Sequence, residues 1–179
     1  GKVVKSNLAV SNVSTTGGTD DSQYQVVVKE NGEAIETSAA VTRWGDVYQH
    51  IRLDRPASQP GYHYFPYDGS VADLDGDGDY ELVVRWEPSN FQDNSISGKT
   101  GNVYLDAYKL NGTKLWRIYL GPNIRAGAHY TQFLVYDFNG DGRAELICKT
   151  AQGTVDGQGD YANKAADDTK ISSANNSMK

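Results

Sequence analysis

Residues 72–84 read ADLDGDGDYELVV and place an acidic side chain at every second position from 73 to 81. Glycines separate Asp75, Asp77 and Asp79, and an aliphatic run follows Glu81. Crowded carboxylates repel one another, but alternate placement over a tight turn lets several of them converge on one point. The stretch therefore predicts either a loop that binds a cation or an acidic turn at the start of a strand.

This first loop has the opening of an EF-hand, with Gly78 at the sixth position, where the chain must bend sharply. It then departs from that motif, because Val84 stands where an EF-hand has its bidentate glutamate. Glu81, at the ninth position, closes the loop instead, and a strand is expected to follow. All-oxygen ligands favour Ca²⁺ over softer metals. The predicted ligands are Asp73, Asp75, Asp77, Asp79 and Glu81.

A second copy of the loop, YDFNGDGRAELIC, occupies residues 136–148. Because the two copies share their spacing, calcium loops are favoured over acidic turns, with a structural role at a strand turn. A recurring unit of several strands that carries such a loop is typical of propeller blades. The predicted ligands of the second copy are Asp137, Asn139, Asp141, the carbonyl group of Arg143, and Glu145.

The N-terminal third of the chain is patterned as short strands. Segments 22–29 and 34–42 flank Asn31-Gly32, which is the strongest short hairpin signal. Tyr24 before a run of valines is typical of the tyrosine corner of a β-sandwich of the immunoglobulin or fibronectin III type. Residues 1–52 supply about half of such a domain, which needs roughly 100 residues.

The remainder of the chain predicts a linker and then blades. Residues 53–70 are rich in proline and aromatic side chains and predict a linker. Residues 71–179 contain both acidic loops and an alternating hairpin around Asn111-Gly112. We therefore expect an all-β fold, in which a partial β-sandwich and a linker precede part of a β-propeller.

The composition excludes several classes of function. A formal net charge of −6 argues against non-specific nucleic-acid binding, which needs a basic surface. No apolar run approaches the roughly 18 residues of a membrane-spanning helix. The chain begins Gly1-Lys2 without a hydrophobic segment, as expected for a mature or trimmed chain. Because Cys148 is the only cysteine, an internal disulfide is impossible, and metal ions are the alternative means of holding loops rigid.

Four stretches together carry a resemblance to a known family. They read ADLDGDGDYELVVRWEPSN, DNSISGKTGNVYLDAYKLNGTKLWRIYLG, NIRAGAHYTQFLVYDFNGDGRAELICKTA and GTVDG. Over about residues 68–157 the chain resembles the polysaccharide lyase family 11 rhamnogalacturonan lyases. The resemblance implies a secreted, calcium-dependent enzyme, built as an eight-bladed β-propeller behind a fibronectin III-like domain. It also implies cleavage of the rhamnogalacturonan I backbone of pectin, an acidic plant cell-wall polysaccharide, by β-elimination.

The resemblance also implies roles for individual residues. Asp68 matches a position that is close to metal or substrate, and we count it among the metal ligands. Glu87 stands where the family commonly has aspartate in a W-D-P motif, so a substrate contact is expected there. Arg125 and His129 lie in the NIRAGAHY loop and are also expected to bind substrate, although base rates alone favour a packed or hydrogen-bonded role for His129. Gln152 departs from the acidic residue usual in K-T-A-D-G-T.

Length sets the last expectation. The chain would hold about two of eight blades, so we expect an incomplete enzyme whose catalytic base lies beyond residue 179 and whose partners include the remaining blades of its propeller. One alternative is a non-catalytic, calcium-stabilised propeller module that binds carbohydrate or a cell surface. Another is a structural repeat without a ligand. The NIRAGAHYTQF loop favours the lyase, because a purely structural repeat would not require it.

Overall fold

The computed structural model describes residues 23–42, 48–162 and 171. Every regular element in these residues is a β-strand, which confirms the expected all-β class. No helix in the described part of the chain is long and apolar enough to cross a membrane. The described residues fall into two compact units, one within residues 1–50 and the other within residues 51–179.

The first unit contains the predicted hairpin. Strands β2 (Val27–Glu30) and β3 (Glu33–Thr37) pair antiparallel around Asn31 and Gly32. Both turn residues have positive φ, 51° and 88°, which is the conformation that a two-residue hairpin turn with the strands' own twist requires. Two further short strands pair with each other, β1 (Gln23–Tyr24) with β4 (Val41–Thr42). The predicted sandwich depends largely on residues outside the described ranges and stays a prediction.

The second unit contains a four-stranded antiparallel meander followed by a strand pair. The meander consists of β5 (Tyr64–Ala72), β6 (Glu81–Pro88), β7 (Tyr104–Tyr108) and β8 (Lys114–Tyr119), each paired with the next. The pair consists of β9 (Phe133–Tyr136) and β10 (Glu145–Cys148). The first acidic loop connects β5 to β6, and the second connects β9 to β10. Both copies therefore occupy the turn between the first two strands of their group.

Strand β5 corrects one expectation. The linker predicted over residues 53–70 is wrong for residues 64–70, which pair with β6 in the sheet. Proline is tolerated here because β5 is an edge strand and the pairing register shifts between Pro66 and Gly69. Proline has no backbone N–H to donate, and at an edge strand or a register shift the sheet does not require that hydrogen bond, so the strand continues through it.

Strand β6 is covered on both faces. Val84 and Trp86 point to one side and pack with Tyr64 and Tyr108 in an apolar cluster. On the other face of the sheet, Leu105 belongs to a second apolar cluster, which continues onto β9 and β10 through the partly buried residues Phe133, Leu146 and Cys148. A strand enclosed on both sides has a nearly continuous buried sequence, and ELVVRWEP fits that rule except for its charges.

The buried carboxylate of Asp106 on β7 is satisfied by three side chains. Trp86 Nε1 donates to Oδ2 at 2.8 Å, and the Tyr108 hydroxyl donates to the same oxygen at 2.5 Å. Arg117 supplies two further hydrogen bonds, from Nε at 2.7 Å and from Nη2 at 2.6 Å. Burial, with the Asp106 carboxylate beside it, raises the pKa of Tyr108 to about 12. A buried charge of this kind is tolerated because its oxygens are hydrogen-bonded and paired.

The packing of the meander predicts the effect of truncating Leu105. Leu105→Ala should lower the free energy of unfolding by about 2–5 kcal/mol, because a fully buried leucine leaves a cavity. Leu115→Ala on β8 is the matched control, since Leu115 is 37% exposed, and should cost about 1 kcal/mol or less. Urea denaturation measures both. Equal losses in the two variants would contradict the assignment of Leu105 to the core.

Candidate functional site

The first acidic loop is closed by hydrogen bonds to its own carboxylates. Asp73 accepts from the backbone N–H of Gly76 at 2.6 Å and from that of Gly78 at 2.9 Å. Glu81 accepts from the backbone N–H of Leu74 at 2.8 Å. Both glycines have positive φ, 78° and 90°, a conformation that strains other residues. The sequence therefore folds this turn so that its first and last carboxylates face each other.

Three carboxylates of this loop form a group that fits a hard cation. Each of Asp73, Asp75 and Glu81 offers an oxygen, and these oxygens lie within 4.8 Å of one another. Asp75 Oδ1 is buried, and no donor in the described part of the chain hydrogen-bonds to it. A buried oxygen that has no hydrogen-bond donor needs another partner, and a Ca²⁺ ion bound by the three carboxylates would be such a partner. The side chains of Asp77 and Asp79 lie outside the group, so their predicted ligand roles stay predictions.

The second loop repeats this arrangement. Asp137 accepts from the backbone N–H groups of Gly140 at 2.7 Å and Gly142 at 2.9 Å, and these bonds lower its pKa. Asp137, Asp141 and Glu145 again bring carboxylate oxygens within 4.8 Å of one another. Three of the predicted ligands from each copy thus converge, in two separate groups.

Two further predicted ligands lie beside the second group without completing it. Asn139 Nδ2 donates to Glu145 Oε1 at 2.9 Å and to Asp141 Oδ2 at 3.1 Å. The backbone N–H of Arg143 donates to Asp141 Oδ1 at 2.9 Å. These bonds position the carboxylates, and ligation by the Asn139 amide oxygen or the Arg143 carbonyl stays a prediction.

The two loops are joined directly. The backbone N–H of Ala144 donates to the carbonyl oxygen of Asp73 at 2.7 Å. The Arg143 side chain lies against Gly76, where an added Cβ would stand 3.0 Å from Arg143 Nε. Only a residue without a side chain fits this approach easily. Sequence reasoning treated the loops as separate turns and did not predict this connection.

Lys109 is a charged residue at the first loop that sequence reasoning missed. Its ammonium lies 2.7 Å from Asp75 Oδ2, 3.0 Å from Asp77 Oδ2 and 4.0 Å from Glu81 Oε1. Hydrogen bonds to the two aspartates raise its pKa. The strand register explains the position of Lys109. Leu82 pairs with Tyr108, and the next residues along the two antiparallel strands are Glu81 and Lys109.

A buried ionic cluster lies around Arg85, the charged residue in the middle of β6. Its side chain is fully buried, with Nη2 2.9 Å from Asp68 Oδ2 and Nε 3.2 Å from Glu87 Oε2. Arg85 Nη1 donates to the Thr131 carbonyl oxygen at 2.9 Å, and the guanidinium lies 4.7 Å from the Tyr67 ring centroid. Asp68 therefore lies in this cluster and not in either carboxylate group, and its metal role stays a prediction.

Glu87 is fully buried beside Arg85. Burial raises the pKa of its carboxyl, Arg85 opposes that rise, and the charge of Asp68 adds to it. A charged strand residue among aliphatic neighbours was the available signal for this cluster, since a buried charge needs a partner. The predicted substrate contact at Glu87 stays a prediction.

Arg125 and His129 occupy different environments within the NIRAGAHY loop. Arg125 is 4% exposed, and its guanidinium donates to the carbonyl oxygens of Gly98 and Ile96 and to Gln92 Oε1 at 3.0 Å. It therefore holds the loop of residues 92–98. The His129 side chain is 61% exposed, with Nδ1 3.6 Å from Asp93 Oδ2. Of the three predicted substrate residues, which include Glu87, only His129 presents its side chain to solvent, and substrate binding by any of them stays a prediction.

Comparison with known proteins decides the family. Residues 48–175 match the model of the rhamnogalacturonan lyase family 11, C-terminal domain. The chain belongs to rhamnogalacturonan lyase family 11. It is 50% identical over 157 residues to the rhamnogalacturonan endolyase YesW of Bacillus subtilis (strain 168) and 51% identical over 148 residues to the exolyase YesX of the same strain. The resemblance that the four stretches carried is confirmed.

A solved structure supports the same family at the level of the backbone. The rhamnogalacturonan lyase PL11 of Bacillus licheniformis matches with a TM-score of 0.75 and 52% identity, covering 84% of this chain and 27% of that one. YesW and YesX match over 85% and 79% of this chain, but over only 25% and 24% of their own lengths. The chain thus spans about a quarter of the length of these family 11 relatives.

The first carboxylate group predicts how substitutions in the loop change its affinity for Ca²⁺. If the group holds Ca²⁺ as predicted, Asp75→Asn should weaken binding about tenfold or more, because it removes one of the three negative charges of the group. Asp79→Asn is the matched control and should change the affinity little, since its side chain lies outside the group. Calorimetric titration with Ca²⁺ measures both. The assignment fails if the two variants lose affinity equally.

The raised pKa of Glu87 predicts a pH-dependent stability. The folded state holds this proton above the ordinary value of 4.5, whereas the unfolded state releases it there. Stability contributed by Glu87 is therefore present below pH 4.5 and falls as pH rises above it. Glu87→Gln lacks this titration, so the stability of the native sequence relative to the variant should fall over the same range. Urea titrations at several pH values would refute this if the difference stayed constant.

Proposed function

We propose that the protein carrying this chain is a rhamnogalacturonan lyase that cleaves the rhamnogalacturonan I backbone of pectin by β-elimination. The observation that carries the proposal is the identity of about half of all aligned residues to a named endolyase and a named exolyase. The two identities are nearly equal, so this region of the chain does not distinguish internal from terminal cleavage.

The proposal includes calcium in both acidic loops. Asp73, Asp75 and Glu81 would hold one ion, and the corresponding carboxylates of the second loop would hold another. Each group lies at the turn between two strands, which supports a structural role for the ions. Bound Ca²⁺ would neutralise the carboxylates of each loop. The reaction has a separate need for positive charge, because the carboxylate of galacturonate disfavours removal of the neighbouring proton. Ca²⁺ would supply such charge where it meets that carboxylate.

The finer architecture belongs to the same proposal. We infer an eight-bladed propeller, supported by a four-stranded meander that is followed by two strands with a second copy of the same loop. We infer a fibronectin III-like domain before it, supported by the hairpin of the first unit. Secretion is part of the proposal because the substrate polymer lies in the plant cell wall.

A non-catalytic, calcium-stabilised module that binds carbohydrate or a cell surface is the second candidate. The observation that favours it is the burial of Glu87 and Arg125, whose charges are already bound by other groups of the protein. The lyase remains the stronger proposal, because the identity to the two enzymes extends along 79–85% of the chain and is not confined to the metal loops.

Absorbance near 235 nm tests the lyase, because β-elimination creates an unsaturated uronate that absorbs there. The whole protein should give a rising trace on rhamnogalacturonan I with Ca²⁺, and the rise should stop when a chelator removes the ion. Readdition of Ca²⁺ should restore it. A flat trace with Ca²⁺ excludes the lyase, and polysaccharide binding without that rise supports the non-catalytic module.

A further inference from the structure

Lys109 lies within ion-pair distance of three carboxylates of the first loop, those of Asp75, Asp77 and Glu81. Its ammonium pairs with Oδ2 of Asp75 and Oδ2 of Asp77, whereas Asp75 Oδ1 remains buried without a hydrogen-bond donor in the described residues. The lysine thus binds the outer oxygen of Asp75 and leaves the inner one to the carboxylate group. It lies beside the proposed metal position without filling the ligand set.

Backbone hydrogen bonds hold the base of the Lys109 side chain beside the loop. Lys109 follows the last residue of β7, and its N–H donates to the Thr113 carbonyl oxygen at 2.8 Å across the turn to β8. Its own carbonyl oxygen accepts from the Gly112 N–H at 2.8 Å. A side chain fixed at its base by this turn, and opposite Glu81 in the strand register, can reach the loop at little entropic cost.

The two copies of the loop differ in this respect. The first has five carboxylates and the ammonium of Lys109, whereas the second has three carboxylates and an asparagine. Among the described residues, no lysine or arginine side chain pairs with Asp137, Asp141 or Glu145. The tethered cation therefore belongs to the more acidic copy, where carboxylate repulsion is greatest.

We propose that Lys109 is a resident counter-ion of the first loop, which holds the loop folded without a divalent ion and lowers its affinity for one. The inference rests on the proposed calcium site. Lys109 both repels an incoming cation and orients Asp75, and these effects oppose each other. Repulsion prevails, because Asp73 and Glu81 are oriented by the backbone N–H groups of Gly76, Gly78 and Leu74 and do not need the lysine.

Calorimetric titration of the whole protein with Ca²⁺ tests this. Lys109→Met should tighten binding at the first loop roughly three- to tenfold at low salt, and the gain should shrink as salt screens the charge. Lys109→Arg keeps the charge and should resemble the native protein. Lys114→Met is the matched control, because Lys114 pairs with Asp54 outside the loop, and should change nothing.

Stability gives an independent readout. In the presence of a chelator, Lys109→Met should melt at a lower temperature than the native protein, and saturating Ca²⁺ should remove most of that difference. Unchanged or weaker Ca²⁺ binding by Lys109→Met overturns the inference and leaves the calcium site standing. An affinity gain that does not depend on salt, or that Lys109→Arg reproduces, also overturns it. Failure of the native protein to bind Ca²⁺ removes both the calcium site and the counter-ion.

Discussion

The burial of β6, in a sheet that carries an apolar cluster on each face, is the constraint on which the second unit depends. One cluster contains Tyr64, Trp86 and Tyr108, and the other contains Leu105 and continues onto the next strand pair. A strand buried on both faces cannot expose its charges, so Arg85 and Glu87 must find partners inside the protein. The ionic cluster on one face and the hydrogen-bonded Asp106 on the other are consequences of that enclosure.

Each end of the enclosed strand meets a different requirement. At its start, Glu81 is buried and closes the acidic loop, so the turn concentrates negative charge where the strand enters the core. Lys109 reduces that charge from the neighbouring strand, and a divalent ion would reduce it further. Towards its end, Arg85 pairs with Asp68 and with Glu87, where the family resemblance implies a substrate contact. The strand thus connects the proposed metal loop to the proposed substrate region.

The Asn31-Gly32 turn and the two acidic loops could be predicted from local sequence. The Asn31-Gly32 hairpin and the carboxylate groups follow from turn chemistry and from the alternation of carboxylates with glycines, both of which act over a few residues. The linker prediction failed at residues 64–70, because proline and aromatic content indicates a loop only when the strand pairing is unknown. Lys109 and Arg85 could not be assigned, since their partners depend on which strands are neighbours.

The sequence by itself determined the all-β class, the two acidic loops and the membership of rhamnogalacturonan lyase family 11, because short-range spacing and extended similarity can be read along one dimension. Only the tertiary structure decided that Asp68 pairs with Arg85, that Arg125 holds the loop of residues 92–98, and that the Asp73 carbonyl meets the Ala144 N–H. These contacts join residues far apart in the chain. Their formation depends on strand register and on the desolvation of charge, which no local pattern records.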